Sequence, residues 1–216
     1  MGNLFTNVAY INPTHSRHDL SHTSLLTADM GKLIPILCRP TLPGDKWSIS
    51  SNQMLRLMPL VAPIMHEINV VTHYFFVPSR ILWKEFPDFI NGGEDGLSES
   101  LAPMFEGLKV EPNSLADYLG LPITGNGTLP PVDALPFIAY QMIYNEYYRD
   151  QNLIEAIDLE VKQGNNTIND TNLIQTQLRT RAWNHDYFTS CLPFAQKGVE
   201  VTLPLLTNDL WIASLR

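Results

Sequence analysis

The stretch from Pro59 to Arg80, PLVAPIMHEINVVTHYFFVPSR, constrains the fold more than any other part of this chain. Its middle, Ile64 to Val77, is rich in β-branched and aromatic residues and is bounded by Pro63 and Pro78, which is the composition of a strand. At ~3.3 Å per residue it would span about 46 Å, longer than most strands. Strand side chains alternate between two faces. The even face, Ile64, His66, Ile68, Val70, Thr72, Tyr74 and Phe76, is nearly all apolar. The odd face, Met65, Glu67, Asn69, Val71, His73, Phe75 and Val77, begins polar and turns apolar. The pattern predicts a long strand with its even face in a core and its odd face wet at first, then covered near Val77. Such a strand suits a large sandwich better than a small enzyme domain.

A chain of 216 residues can bury a real core within one domain. Only 17% of residues are charged, against a usual quarter. Low charge fits a well-buried domain, or a subunit whose surface is covered by neighbours. The net charge of −8 argues against a surface that grips nucleic acid everywhere, yet leaves room for a local basic and aromatic patch. Cys38 and Cys191 lie in apolar contexts without CxxC spacing and read as buried, reduced thiols. The start, MGNLFTNVAY, lacks the basic region and apolar run of a signal peptide, and no apolar stretch approaches eighteen residues. Gly2 and Thr6 meet the loose myristoylation pattern without a supporting basic patch.

Residues 1–24 are polar and aperiodic and read as an extended N-terminal arm. His15, His18, Asp19 and His22 have metal-ligand chemistry, but no second ligand cluster accompanies them. Leu33–Thr41, broken by Pro35 and Pro40, predicts an edge strand. LPGD at 42–45 predicts a turn, Lys46–Ser51 alternates as a strand, and Gln53–Leu60 fits strand or helix. After the ribbon, Ser79 predicts an N-cap for RILWKEFPDFI, with Pro87 as its kink or end. NGGEDG at 91–96 predicts a solvated loop, since EF-hand spacing fails at Gly93 and Ala102. Residues 97–132 read as a long irregular insertion, with SLADYLG at 114–120 its one helical turn.

Asp133–Asp150 is the strongest predicted helix. Phe137, Tyr140, Tyr144, Tyr147 and Tyr148 fall on one side, and Leu135, Ile138 and Met142 on another. The aromatics read first as core or subunit contacts and second as stacking surfaces for single-stranded bases. A polar loop spans 160–172. In the segment 178–194, Arg179 and Arg181 stand beside Trp183, Tyr187 and Phe188, the one local pattern compatible with nucleic acid. Ordinary packing with ion pairs is the plainer reading. Val199–Leu203 predicts a short strand.

No catalytic constellation emerges. His66 and His73 fall on opposite faces of the ribbon, Val70 replaces the second His of an HExxH, and GxSxG, GxxxxGK[ST] and GxGxxG are absent. The sequence therefore predicts no enzyme, no cofactor and no metal.

Seven segments in order carry a resemblance: HDLSH at 18–22, MGKLIPI at 30–36, PGDK at 43–46, LRLMPLVAPIMHEINVVTHYFFVPSRILW at 55–83, YNEYYRDQNL at 144–153, LRTRAW at 178–183 and DYFTSCLPFAQKG at 186–198. Together they resemble the N-terminal half of the major capsid proteins of microviruses, small icosahedral single-stranded DNA bacteriophages, in particular the gokushovirus branch. The resemblance implies a mainly β fold, a viral single jelly-roll sandwich with long helix- and loop-containing insertions, to which this chain supplies only part of the strands. The arm would be residues 1–24. Residues 25–216 would form the N-terminal portion of one jelly-roll domain, with insertions at about 79–132 and 133–195. The implied function is self-assembly into a T=1 shell of sixty copies enclosing circular single-stranded DNA, with other capsid or pilot proteins as partners and no membrane contact. The implied location is the virion, assembled in the bacterial host cytoplasm. Should this part touch DNA, Arg179, Arg181 and Trp183 are the contact residues. The rival is a non-viral jelly-roll binding module, lectin- or cupin-like.

Alone, these residues would leave strand edges unpaired. The 216-residue segment expressed by itself should be insoluble. A monodisperse, cooperatively melting monomer on size-exclusion chromatography would contradict this.

Overall fold

A computed structural model describes residues 14–169, 173–184 and 186–187. The core does not lie under the ribbon. It forms within residues 103–138, most of which the sequence marked as an irregular insertion. Strand β1 (Met104–Glu106) is the centre of a three-stranded sheet of order β2-β1-β3. It pairs antiparallel with β2 (Val132–Asp133), setting Phe105 against Val132, and parallel with β3 (Asn165–Thr167), setting Phe105 against Asn166. Phe105 is fully buried and meets Phe137 edge to face, ring centroids 5.6 Å apart. Leu108, Val110, Leu115, Ala116, Ala134 and Ile138 complete the cluster. Burying one such large side chain contributes roughly 1.5–3 kcal/mol.

Local chemistry explains the helices around it. The single turn α3 (Leu115–Tyr118) begins at Ser114, whose Oγ accepts from the Asp117 N–H at 3.3 Å. The Asp117 carboxylate reaches back to accept from the Asn113 N–H at 2.9 Å. Gly120 stops the turn at φ +91°, as the sequence predicts. The 42–45 turn also forms, closed by the Asp45 N–H on Leu42 O at 3.1 Å with Gly44 at φ +91°.

Ahead of the core, α1 (Ser79–Leu82) starts at Ser79, but Pro78 holds the cap position and no side chain caps it. The predicted longer helix breaks at Trp83, which is extended and buried. Pro87 starts a second helix, α2 (Phe86–Asn91), rather than ending the first. Proline is pre-set for a first turn, where its missing N–H is not needed.

Helix α4 (Leu135–Ile143) continues as a π-helical turn, Tyr144–Tyr148, closed by the Arg149 N–H on Tyr144 O at 2.9 Å. Pro136 sits in its first turn, and Asp133 Oδ1 accepts from the Leu135 N–H at 3.0 Å. The wider turn breaks the 100° progression. Tyr144, seven residues after Phe137, stays buried, whereas Tyr147, inside the wider turn, is 68% exposed. The aromatics do not share one side, and the buried stripe includes two amides, Gln141 and Asn145.

Gln141 is completely buried and ties α4 to the stretch 175–179 by three hydrogen bonds. Its Nε2 donates to Gln175 O at 2.9 Å and Gln177 O at 2.8 Å, and its Oε1 accepts from Arg179 Nε at 2.8 Å. Those carbonyls belong to a 3₁₀ turn, Ile174–Thr176, and to its C-cap residue Gln177. Gln175 Nε2 in turn donates to Asp158 O and Glu160 O.

The ribbon differs from its expectation. Residues 64–77 form no ladder with any other described residue. Ile68, Val70, Tyr74 and Phe76 of the even face are exposed, Phe76 at 78%. Near its end the odd face makes the ring contacts: Phe75 lies 5.0 Å from Tyr147, and His73 stacks on Tyr148 at 5.8 Å and 13°. A strand needs a partner edge and an apolar face needs an opposing layer, and the described residues offer this ribbon neither. Residues 33–41, 46–51 and 53–60 also carry no strand; an isolated antiparallel bridge joins Lys32, just ahead of them, to Thr180. Cys38 is exposed rather than buried; Cys191 and the strand predicted at 199–203 lie outside the described residues. The predicted polar loop at 160–172 contains β3.

Gln141→Leu keeps the volume but strands two carbonyls and a guanidinium N–H. It should lower the unfolding free energy by about 2–4 kcal/mol, read from urea-denaturation midpoints. A change under about 0.5 kcal/mol would contradict the central role of this amide.

Candidate functional site

The sequence-predicted residues Arg179, Arg181 and Trp183 lie on one strip held from both sides. On one side the Leu33 N–H donates to Arg179 O and the Arg181 N–H to Gly31 O, both at 2.9 Å. On the other the Ala182 N–H donates to Tyr148 O at 2.9 Å. Tyr140 closes the joint: its hydroxyl donates to Leu33 O at 2.8 Å and accepts from the Arg179 N–H at 2.8 Å. The strip thus couples the chain before residue 34 to the end of α4.

The three side chains take different roles. Arg179 is turned inward. Its Nε is bound to Gln141, its Nη2 donates to Ile174 O, and its guanidinium lies 5.6 Å over the Tyr144 ring. Burial pulls its pKa down, and the neighbouring tyrosines only partly oppose this. Arg181 and Trp183 instead line a cavity of about 200 Å³ together with Tyr147, Tyr148, Arg149 and Asp150. Trp183 is 80% exposed. Arg181 Nη2 donates to Asn184 Oδ1 at 2.8 Å, which orients the guanidinium. The sequence pattern does not group Tyr147 and Arg149 with the arginine strip: the YNEYYRD segment holds both, but nothing local links it to residues some thirty-five positions on.

Elsewhere the sequence candidates stay apart. His66 and Glu67 are exposed on the ribbon, while His73 Nδ1 hydrogen-bonds the Tyr148 hydroxyl. In the arm, His18 Nε2 pairs with Ser16 Oγ at 2.8 Å and His22 Nδ1 donates to Leu20 O at 3.1 Å. Among the described residues no three His, Cys, Asp or Glu side chains converge as a metal site, and no helix is long and apolar enough to cross a membrane.

The described residues thus combine a small sheet core with irregular additions, an exposed apolar ribbon and an aromatic–basic cleft. Residues 7–213 match the family described as Capsid protein (F protein). The chain belongs to that family of phage capsid proteins, which are not enzymes. It is 35% identical to Capsid protein VP1 of Chlamydia phage 1 over 230 residues, covering 97% of this chain and 38% of the relative. It is 34% identical to VP1 of Bdellovibrio phage phiMH2K, covering 93% and 37%, and 33% identical to VP1 of Spiroplasma virus 4, covering 87% and 36%. The microvirus resemblance is thereby shown, and the lectin- or cupin-like rival is not favoured. The chain spans a little over a third of the length of these curated relatives.

Burial raises the Tyr140 hydroxyl to about 12, and the Arg179 N–H and charge only partly offset this. A raised pKa stabilises the fold fully below the unfolded value of about 10, and the contribution is lost as pH climbs through about 12. Urea midpoints should therefore fall between about pH 10 and 12, by an amount on the order of 2 kcal/mol. Tyr140→Phe should flatten that part of the profile while lowering stability at neutral pH. An unchanged alkaline profile in the variant would refute the joint.

Proposed function

We propose that this chain is part of a major capsid subunit whose activity is self-association. In the full reading, sixty copies form a T=1 icosahedral shell around circular single-stranded DNA, beside other capsid or pilot proteins, assembled in the bacterial host cytoplasm and ending in the virion. The observation that carries the reading is family membership across residues 7–213, joined to an apolar ribbon left uncovered. An exposed apolar surface of this extent marks a binding face, and stable interfaces bury on the order of 1,200–2,000 Å².

The jelly-roll form of the subunit has support in the path of the ribbon. Gln53 Nε2 donates to Thr72 Oγ1, and the Tyr74 hydroxyl donates to Ser51 Oγ. A step of two residues forward on one segment meets a step of two back on the other, so the segments pass antiparallel, as neighbouring strands of such a sandwich do. In this reading residues 1–24 are an arm for contacts between copies, and residues 25–216 belong to one jelly-roll domain with insertions at about 79–132 and 133–195. The second insertion carries the DNA-facing strip: Arg181 and Trp183 make the contact, and Arg179 holds the strip in place through Gln141.

Electron microscopy of the purified full-length protein tests the proposal. Closed shells of uniform diameter are expected. Monomers that never form particles, or that retain a sugar or a metal, would overturn it.

A further inference from the structure

The geometry points to a one-nucleotide site in the cleft between Tyr147 and Trp183: one base of a single-stranded nucleic acid lies against the rings, and its phosphate meets Arg181. Two large aromatic side chains, 68% and 80% exposed, border one small cavity. An exposed ring offers any base a π-face, and stacking of this kind is indifferent to sequence. The size selects a single strand. A cavity of about 200 Å³ has room for a splayed base but not for a duplex, whose bases are stacked on one another.

Charge selects the ligand further. Arg181 uses one guanidinium donor on Asn184 Oδ1 and is fixed at its backbone N–H by Gly31 O. The remaining donors of its fork are suited to phosphate oxygens. Arg149 also lines the cavity, with Nη1 on Ile154 O and its Nε buried without an acceptor. The one carboxylate there, Asp150, is committed through Oδ1 to the Asn152 N–H at 2.9 Å. Two guanidinium groups against one carboxylate make the cleft locally cationic in a chain of net charge −8. An apolar protein partner would use the rings and leave the arginines idle. A nucleotide uses both.

This inference rests on the capsid reading only for the source of the strand, the packaged genome. The test therefore separates the two. Full-length protein is mixed with a short oligo-dT carrying 5-iodouracil, and in parallel with the matching oligo-rU, irradiated and mapped by mass spectrometry. Cross-links should fall on Tyr147 or Trp183. Trp183→Ala should weaken binding roughly tenfold or more, and Trp183→Phe should restore most of it. Arg181→Glu should weaken binding and reduce the salt slope by about one or more. Arg56→Glu makes the same charge change at an exposed residue ahead of the ribbon and should alter binding less than twofold. Equal binding of dT and rU assigns the shared base-and-phosphate chemistry, and preference for dT assigns DNA. Cross-links only elsewhere, or equal losses for Arg56→Glu and Arg181→Glu, would overturn the site. Shells without these cross-links sink the site alone, and cross-links without shells sink the capsid reading alone.

Discussion

A fully buried amide, Gln141, is what the rest of the described structure leans on. Irregular chain brings carbonyl and N–H groups that no ladder satisfies, and each one buried without a partner costs about 1–3 kcal/mol. Here side-chain amides take the place of neighbouring strands. Gln141 closes the 3₁₀ turn onto α4, and Gln175 carries the connection to Asp158 and Glu160. Asn145 exchanges two hydrogen bonds with the backbone of Ile157, donating to its carbonyl at 2.9 Å and accepting from its N–H at 3.0 Å. Asn166, in β3, donates to Lys162 O and Gly164 O and accepts from the Lys162 N–H. A three-stranded sheet of very short strands can hold so much loop because these amides fix the loops in one path.

Tyrosine hydroxyls extend the same device outward. Tyr140 ties Leu33 to Arg179, Tyr118 donates to Thr27 O at 2.7 Å, and Tyr148 meets His73 of the ribbon. All three phenols are pushed upward in pKa, chiefly by burial. Each anchors an extended segment by its polar tip, and the Tyr140 ring packs against the core while the Tyr148 ring stacks on His73. The extended segments thus acquire direction without acquiring sheet partners. The two contacts that align 51–53 against 72–74 act likewise, through side chains alone.

What the sequence made legible follows from this division. Features decided within a few residues were readable: the Pro43–Gly44 turn, the Ser114–Asp117 cap, the Gly120 stop and the start of α4. The ribbon's extended, apolar character was readable as well, since composition alone dictates it. Its partner was not, because pairing depends on residues remote in sequence. The core was misplaced for a related reason. Residues 97–132 lack a period, so Phe105, Leu108 and Val110 looked like scattered apolar residues until β2, β3 and α4 closed over them. Gln141 and Asn145 are hard to read as core residues because polarity on a helix ordinarily signals solvent. Their spacing from Phe137, at four and eight residues, was the available clue. Arg179 taught the opposite lesson: grouped by composition with Arg181 and Trp183, it is separated from them by what its side chain binds.

The uncovered ribbon and the fixed core are two halves of one arrangement. A free domain with Ile68, Val70, Tyr74 and Phe76 in water would be driven to bury them, at about 25 cal/mol for each Å² removed from solvent. That drive is non-directional, and left alone it produces aggregation and not a shell. Direction comes from joints on both faces of the ribbon: His73 on Tyr148 and Phe75 on Tyr147 from the odd face, and Thr72 and Tyr74 of the even face on Gln53 and Ser51. They present the apolar face at one orientation relative to a rigid sheet core. In the proposed shell an interface built from it would have a defined angle, and a defined angle between copies is what turns association into closure.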